Sequence, residues 1–139
     1  MEMNLSKLDW IDESILFNHE QRKNTNLSSG TLESCFLNDI NLQAWGALAK
    51  GVFSGKKLDN PTSNILRTRK LVNKLAKEKD VSKEGIVLAF ILKHPFKIRP
   101  LIGTTTPIRI KNTKDALDIN LTREQWYDLY VSSRGEILP

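Results

Sequence analysis

Leu101-Ile102-Gly103-Thr104-Thr105-Thr106-Pro107-Ile108-Arg109 decides how the rest of the chain is read. Residues 99–103 read as a short apolar strand, and Gly103 turns the chain. Three hydroxyl-bearing threonines then lead into a helix, with Thr106 as N-cap and Pro107 at the first helical position. A helix that begins where a strand ends directs backbone N–H groups and the positive end of its dipole towards the strand's carboxyl end, where an anion is favoured. Arg109, in the first turn, adds a planar pair of donors suited to phosphate. Ligands of parallel α/β folds sit at the carboxyl ends of the strands. Two readings fit these residues: a phosphate site, or a capped helix with Arg109 in solvent.

Upstream, Ser82 caps a helix that runs towards His94. Its run 86–92 is apolar all round, as in a helix buried on several sides. His94-Pro95 ends it, because the residue before proline avoids helical geometry. Helix signals begin at Ile65, where Leu71, Val72, Leu75 and Ala76 form an apolar stripe and Lys70, Lys74 and Lys77 lie mostly off it. Gly46, Gly51, Gly55 and Asn60-Pro61 mark a loop. Residues 40–45 read as a strand, with Ile40, Leu42 and Ala44 on one face.

Residues 31–38 form a short helix with Leu32, Cys35 and Phe36 on one side, and Asn38-Asp39 is a turn. Residues 9–30 form a long polar loop with an apolar patch at Ile15-Leu16-Phe17, a length uncommon in a compact domain. Residues 3–8 are a short, weak strand or an extended stretch. Downstream, Thr122-Arg123-Glu124-Gln125 is a capping box that opens the last helix, where Trp126, Leu129 and Tyr130 share a face. Strands alternating with helices imply parallel strands joined by right-handed crossovers. The class is α/β, with about three strands.

The chain's 139 residues suit one domain, and 40% hydrophobic with 27% charged residues is the composition of an ordinary globular protein. Cys35 has no second cysteine to pair with, so a reducing compartment, the cytoplasm, is the expected location. No apolar run approaches the roughly 20 residues that span a bilayer, and no signal peptide is visible. The formal charge of +5 is uneven. Residues 61–100 carry ten Lys or Arg against three Asp or Glu. A basic middle of this kind is either the solvated face of a lysine-rich helix or a surface for nucleic acid, membrane or a phosphorylated ligand.

The run Gly103-Thr104-Thr105-Thr106-Pro107-Ile108-Arg109-Ile110-Lys111-Asn112-Thr113 resembles the last-strand segment of the aldo/keto reductase superfamily. Gln43-Ala44-Trp45-Gly46-Ala47-Leu48 is similar to that family's penultimate strand. Val81-Ser82, His94-Pro95 and Thr122-Arg123-Glu124-Gln125-Trp126 follow in matching order, so the resemblance covers nearly the whole chain. The nearest flavour is the bacterial oxidoreductase type that reduces small carbonyl compounds.

The resemblance implies the carboxyl-terminal portion of a (β/α)₈ TIM barrel, strands six to eight with their helices, as one unit over residues 1–139. It implies NADP(H) at the strands' carboxyl ends. By position, Trp45 would stack on the nicotinamide. Gly46 and Leu48 would line the pyrophosphate path. Gly103, Thr104, Thr105, Thr106 and Arg109 would hold the adenosine 2′-phosphate, with Asn112 and Thr113 flanking the adenine.

Departures weaken the inferred affinity. Gly46 stands where the family usually has serine, Thr105 where many members have Lys or Arg, and Asn112 where many have Glu. A full barrel needs roughly 250 residues. The family's catalytic Asp, Tyr, Lys and His, and its Ser-Asn-Gln run, have no counterpart here, so no catalytic residue is assigned. Tyr127 and Tyr130 lie on what resembles the closing helix. His19, His94 and Cys35 have no activating partner in sequence and read as structural or surface residues, and no metal site is expected.

The expectation is therefore a fragment of an NADPH-dependent reductase that keeps part of the cofactor site and is inactive alone. It would associate as a homodimer or with a complementing chain, because cutting a barrel opens its edges. The alternatives are a non-catalytic nucleotide- or partner-binding module, and nucleic-acid binding through residues 61–100. The last is disfavoured because Phe90 and Phe96 are the only aromatic residues there.

Overall fold

The most deeply buried element is helix α3, Lys83–Leu92, in which every residue from Gly85 to Ile91 is buried. An unbroken run of apolar residues has no side to give to water, so its neighbours close around it. The computed structural model describes residues 1–11 and 30–136. The expectations for residues 12–29, His19 and the Ile15–Phe17 patch among them, and for residues 137–139 lie outside the described residues.

The described elements are α1 (Thr31–Leu37), β1 (Gln43–Ala44), a 3₁₀ turn (Ala49–Gly51), α2 (Ser63–Glu78), α3, β2 (Arg99–Pro100), α4 (Pro107–Thr113), a second 3₁₀ turn (Lys114–Leu117) and α5 (Arg123–Arg134). β1 and β2 pair in parallel, Gln43 with Arg99 and Ala44 with Pro100. On the other edge of β1 the N-terminal residues make a parallel bridge, Glu2 with Trp45. There Trp45 N–H donates to the Met1 carbonyl at 2.8 Å and Met3 N–H to the Trp45 carbonyl at 3.2 Å. The three expected strands are thus a two-stranded parallel sheet flanked by a single bridge.

The strand expected over residues 40–45 is shorter than its alternation suggests. Ile40 is 56% exposed and takes no part in the sheet. Its N–H donates to the Cys35 carbonyl at 2.8 Å, and Asp39 N–H donates to Phe36. With Asp39 in the left-handed region at φ 52, this is a Schellman closure of α1. Ile40 belongs to the end of a helix, and only Leu42 and Ala44 face inward. The strand expected over residues 99–103 also narrows to its first two residues, because its outer edge has no partner among the described residues.

Local capping matches the side-chain chemistry. Thr62 accepts Ile65 N–H at the start of α2, two residues before the expected start. Ser82 accepts Gly85 N–H at 2.9 Å at the start of α3. Thr122 and Gln125 complete a capping box on α5. α5 is fastened to α3 by a hydrogen bond from Trp126 Nε1 to the Phe90 carbonyl at 2.8 Å, and their rings stack at 4.8 Å. Ser133 Oγ donates to the Leu5 carbonyl, tying α5 to the N-terminal segment. Gly85 is where α3 meets the second 3₁₀ turn. A Cβ there would lie 2.9 Å from Ile119 Cδ1 and 3.0 Å from Asp115 Cβ, so a side chain at this position would push these neighbours aside.

Candidate functional site

Parallel register places both candidate segments at one end of the sheet. Leu101 N–H donates to the Ala44 carbonyl, so the chain leaves β1 at Trp45 and β2 at Leu101 side by side. From β1 come Trp45, Gly46 and Leu48. From β2 come Gly103 to Thr106 and then Arg109. The two groups are brought to the same carboxyl-terminal edge, where an α/β fold holds its ligands.

Trp45 is 54% exposed, although its backbone is fixed on the N-terminal segment. The loop after it runs through the left-handed region at Gly46 (φ 68), Ala49 (φ 50), Lys50 (φ 52) and Gly51 (φ 80). Each left-handed residue bearing a Cβ costs about 1–2 kcal/mol. Strain of this kind concentrates where a loop must hold a set shape. Leu48 is half-buried and Ala47 fully buried beneath the loop. Glu2 lies against Gly46, its Cγ and Oε1 3.4 Å from where a Cβ would be. The Glu2 carboxylate faces Lys7 Nζ at 3.9 Å, and Lys7 reaches Asp9 at 3.2 Å.

The Gly103–Arg109 segment is largely solvent-facing, with Thr104 half-buried. Thr104 Oγ1 accepts Thr106 N–H at 3.3 Å. Thr106 is the N-cap of α4 by backbone geometry, with Pro107 following, but its hydroxyl makes no cap bond. Its carbonyl instead takes the Arg109 and Ile110 N–H groups at 3.0 and 3.1 Å. Among the described residues nothing accepts the N–H of Thr105 or Ile108, and no acidic or hydrogen-bonding partner holds the exposed Arg109 side chain. Two backbone donors, the Thr105 and Thr106 hydroxyls and one guanidinium are therefore uncommitted among the described residues between Thr105 and Arg109.

The far end of α4 is committed. The Asn112 carbonyl accepts Ser82 Oγ at 2.6 Å, and Asp115 Oδ2 accepts Ser82 N–H at 3.0 Å. Thr113 is buried, with its hydroxyl donating to the Ile110 carbonyl at 2.7 Å. Of the residues expected beside an adenine, Asn112 is half-buried and Thr113 is turned into its own helix.

The groups read as structural sit in structural surroundings. His94 packs against Trp10 at 5.5 Å, Phe96 at 5.1 Å and Trp126 at 6.4 Å, and its Nδ1 accepts Phe96 N–H at 3.5 Å. Burial pushes its pKa below the ordinary 6.5, partly offset by the carboxylate of Glu33. Tyr130 is buried, and Tyr127 lies beneath the Arg123 guanidinium at 5.7 Å. Among the described residues no cluster of three or more His, Cys, Asp or Glu can hold a metal, and no helix is long and apolar enough to cross a membrane. Glu2 and Lys7 escaped the sequence reading. Their stretch is too short to show periodicity, and only the bridge to Trp45 brings them to the edge.

The aldo/keto reductase family model matches residues 3–130. A 6-dehydroglucose reductase of Agrobacterium fabrum is 31% identical over 98 residues, 70% of this chain and 30% of that protein. A 6-dehydroglucose reductase of Novosphingobium aromaticivorans is 28% identical over 112 residues, 80% of this chain and 35% of that protein. The chain thus spans about a third of the length of these curated relatives. A thermostable aldo-keto reductase, solved with the inhibitor epalrestat, superposes on 94% of this chain and 38% of its own at a TM-score of 0.62 and 18% identity, a likeness of fold. The chain belongs to the aldo/keto reductase family.

Proposed function

We propose that this chain supplies the adenosine-phosphate end of an NADP(H) site in a reductase of small carbonyl compounds. The observation that carries this reading is the first turn of α4. There Arg109, the Thr106 hydroxyl and the N–H groups of Thr105 and Ile108 are uncommitted beside the carboxyl end of β2. Donors of this kind fit a phosphate monoester. The fit is poorer beyond Gly46, because the Glu2 carboxylate lies against the path of a pyrophosphate and is offset among the described residues by Lys7, which Glu2 shares with Asp9.

When bound, NADPH would supply the hydride for a carbonyl, and the names of the two 6-dehydroglucose reductases support a carbonyl substrate. The residues of this chain bind and orient. Arg109 and the α4 turn hold the phosphate, and the exposed indole of Trp45 offers a flat apolar face to the nicotinamide. Catalytic Asp, Tyr, Lys and His residues matching the family's pattern are not found among the 139 residues, so the chain alone carries out no turnover. The outer edge of β2, with Leu101 and Ile102 at 46% and 37% exposure, favours association with a second copy or a complementing chain.

Calorimetry tests the site. NADP should bind more tightly than NAD, and Arg109→Ala should erase the difference. Losing a charge-assisted bond worth roughly 1.5–3 kcal/mol corresponds to about a 10- to 100-fold preference. Equal affinities of the wild-type chain for the two cofactors would sink the reading. NADPH absorbance should stay flat when the pure chain is mixed with small aldehydes, and turnover abolished by a point mutation in the chain would overturn the claim of inactivity.

A further inference from the structure

The nucleotide site leaves the basic segment 61–100 unused, and the structure gathers part of that charge. On α2, Arg67, Lys70, Lys74 and Lys77 recur at three- and four-residue spacing. At 3.6 residues per turn they fall within roughly 80° of the helix circumference. All four are exposed. The first three form one wall of a groove of about 410 Å³ between α2 and α5. Leu71 and Val131 supply its apolar floor, and Asp128 and Ser132 stand on the α5 side.

Polar contacts tie the two sides of the groove, α2 and α5, to each other. The hydroxyls of Thr68 and Ser132 are 3.1 Å apart and buried, and Asn64 Nδ2 donates to the Arg134 carbonyl at 3.3 Å. The basic wall is mostly available. Lys70 has no ion pair among the described residues, Arg67 leans on the neutral Asn64 at 3.0 Å, and Lys74 shares an exposed pair with Glu78 at 3.7 Å.

Three features select the occupant. The wall calls for anions, and the Leu71–Val131 floor calls for aliphatic contact. Asp128 disfavours a continuous phosphate backbone, and no aromatic ring lines the groove for a base to stack on. Carboxylates along one side of an amphipathic helix, with its apolar stripe set on the floor, satisfy all three. The basic stripe from Arg67 to Lys77 runs eleven residues, roughly 15 Å or about three helical turns. We propose that the groove between α2 and α5 binds an acidic amphipathic helix of a partner protein, its carboxylates on Arg67, Lys70 and Lys74 and its apolar side chains on Leu71 and Val131. This surface lies on the helices rather than at the strand ends, so it stands whether or not the nucleotide site does.

The test is fluorescence anisotropy of the intact chain with a labelled synthetic helix of about four turns, leucine on one stripe, glutamate along the side that would face α2 and neutral glutamine elsewhere. A scrambled peptide of equal composition serves as control. Lys70→Glu combined with Lys74→Glu should weaken binding roughly tenfold or more, while Lys56→Glu with Lys57→Glu, an equal change in net charge on an exposed loop outside the groove lining, should change it less than about twofold. Val131→Ser should weaken it about threefold at unchanged charge. Circular dichroism establishes that each variant is folded. Any of four results overturns the proposal: no measurable binding of the helix, equal binding of the scrambled peptide, equal losses in the two charge-reversed pairs, or tighter binding of a single-stranded oligonucleotide or phosphatidylserine vesicles than of the helix.

Discussion

Helix α3 lies in sequence between the two loops at the strand ends, and it and they are built on opposite terms. In α3 every side chain from Ile86 to Ile91 is buried and the N-terminus is tied by Ser82 to two other elements. In the loops Trp45, Thr105, Thr106 and Arg109 face solvent, and Ala49 and Lys50 hold left-handed backbone. Burial stabilises the first region, while the second keeps donors and a ring face uncommitted at some cost. Substitutions in one region should therefore register as stability and in the other as binding.

Phe90→Ala should give the largest effect, a loss of about 3–5 kcal/mol in denaturant unfolding, because it opens a cavity beneath the Trp126 stack. A loss near 1 kcal/mol would mean that α3 is less tightly enclosed than its burial indicates.

The next effect is pH-dependent and belongs to His94. Its folded pKa lies below the ordinary 6.5 because burial disfavours the cation. The unfolded chain then binds the proton more readily, so stability is full above about pH 6.5 and falls as pH drops towards the folded value. Glu33 and the rings of Trp10, Phe96 and Trp126 face this imidazole. Thermal unfolding between about pH 7.5 and 5 should show that slope, and His94→Gln should flatten it. An unchanged slope would assign it to other groups.

A smaller gain is expected where the loops hold strain. Lys50→Gly removes a Cβ from φ 52 and should raise stability by up to about 1 kcal/mol, against the added freedom of glycine in the unfolded chain. A loss of 1 kcal/mol would show that Lys50 makes contacts that outweigh its backbone. The smallest stability effect is that of Arg109→Ala, within about 0.5 kcal/mol, since the side chain is exposed and unpartnered among the described residues. Its consequence should appear in NADP affinity alone. A variant that unfolds early would end the contrast between the regions.

The sequence was most legible where a residue's chemistry acts on its own backbone. Ser82, Thr122 with Gln125, and Pro107 mark helix starts, and the apolar run of α3 announces its burial. Legibility fell where a tertiary partner decides. Ile40 continues the alternation of Leu42 and Ala44, yet the closure of α1 takes its N–H. The Thr106 hydroxyl looked like a cap, but it makes no cap bond, and only the Thr106 carbonyl engages the helix start through the Arg109 and Ile110 N–H groups. Glu2 meets Gly46 only because the N-terminus lies beside β1. The motif at 103–113 pointed to one site, whereas Thr113 is committed to its own helix. Motif spacing says which residues travel together, and not which way each one faces.

Helix α4 is a cantilever. Its last turn is clamped to the start of α3 through Ser82, Asn112 and Asp115, while its first turn, with Arg109, overhangs solvent. An anion held at Thr105–Arg109 would add contacts at the overhanging end and leave the hydrogen bonds at the clamped end as they are.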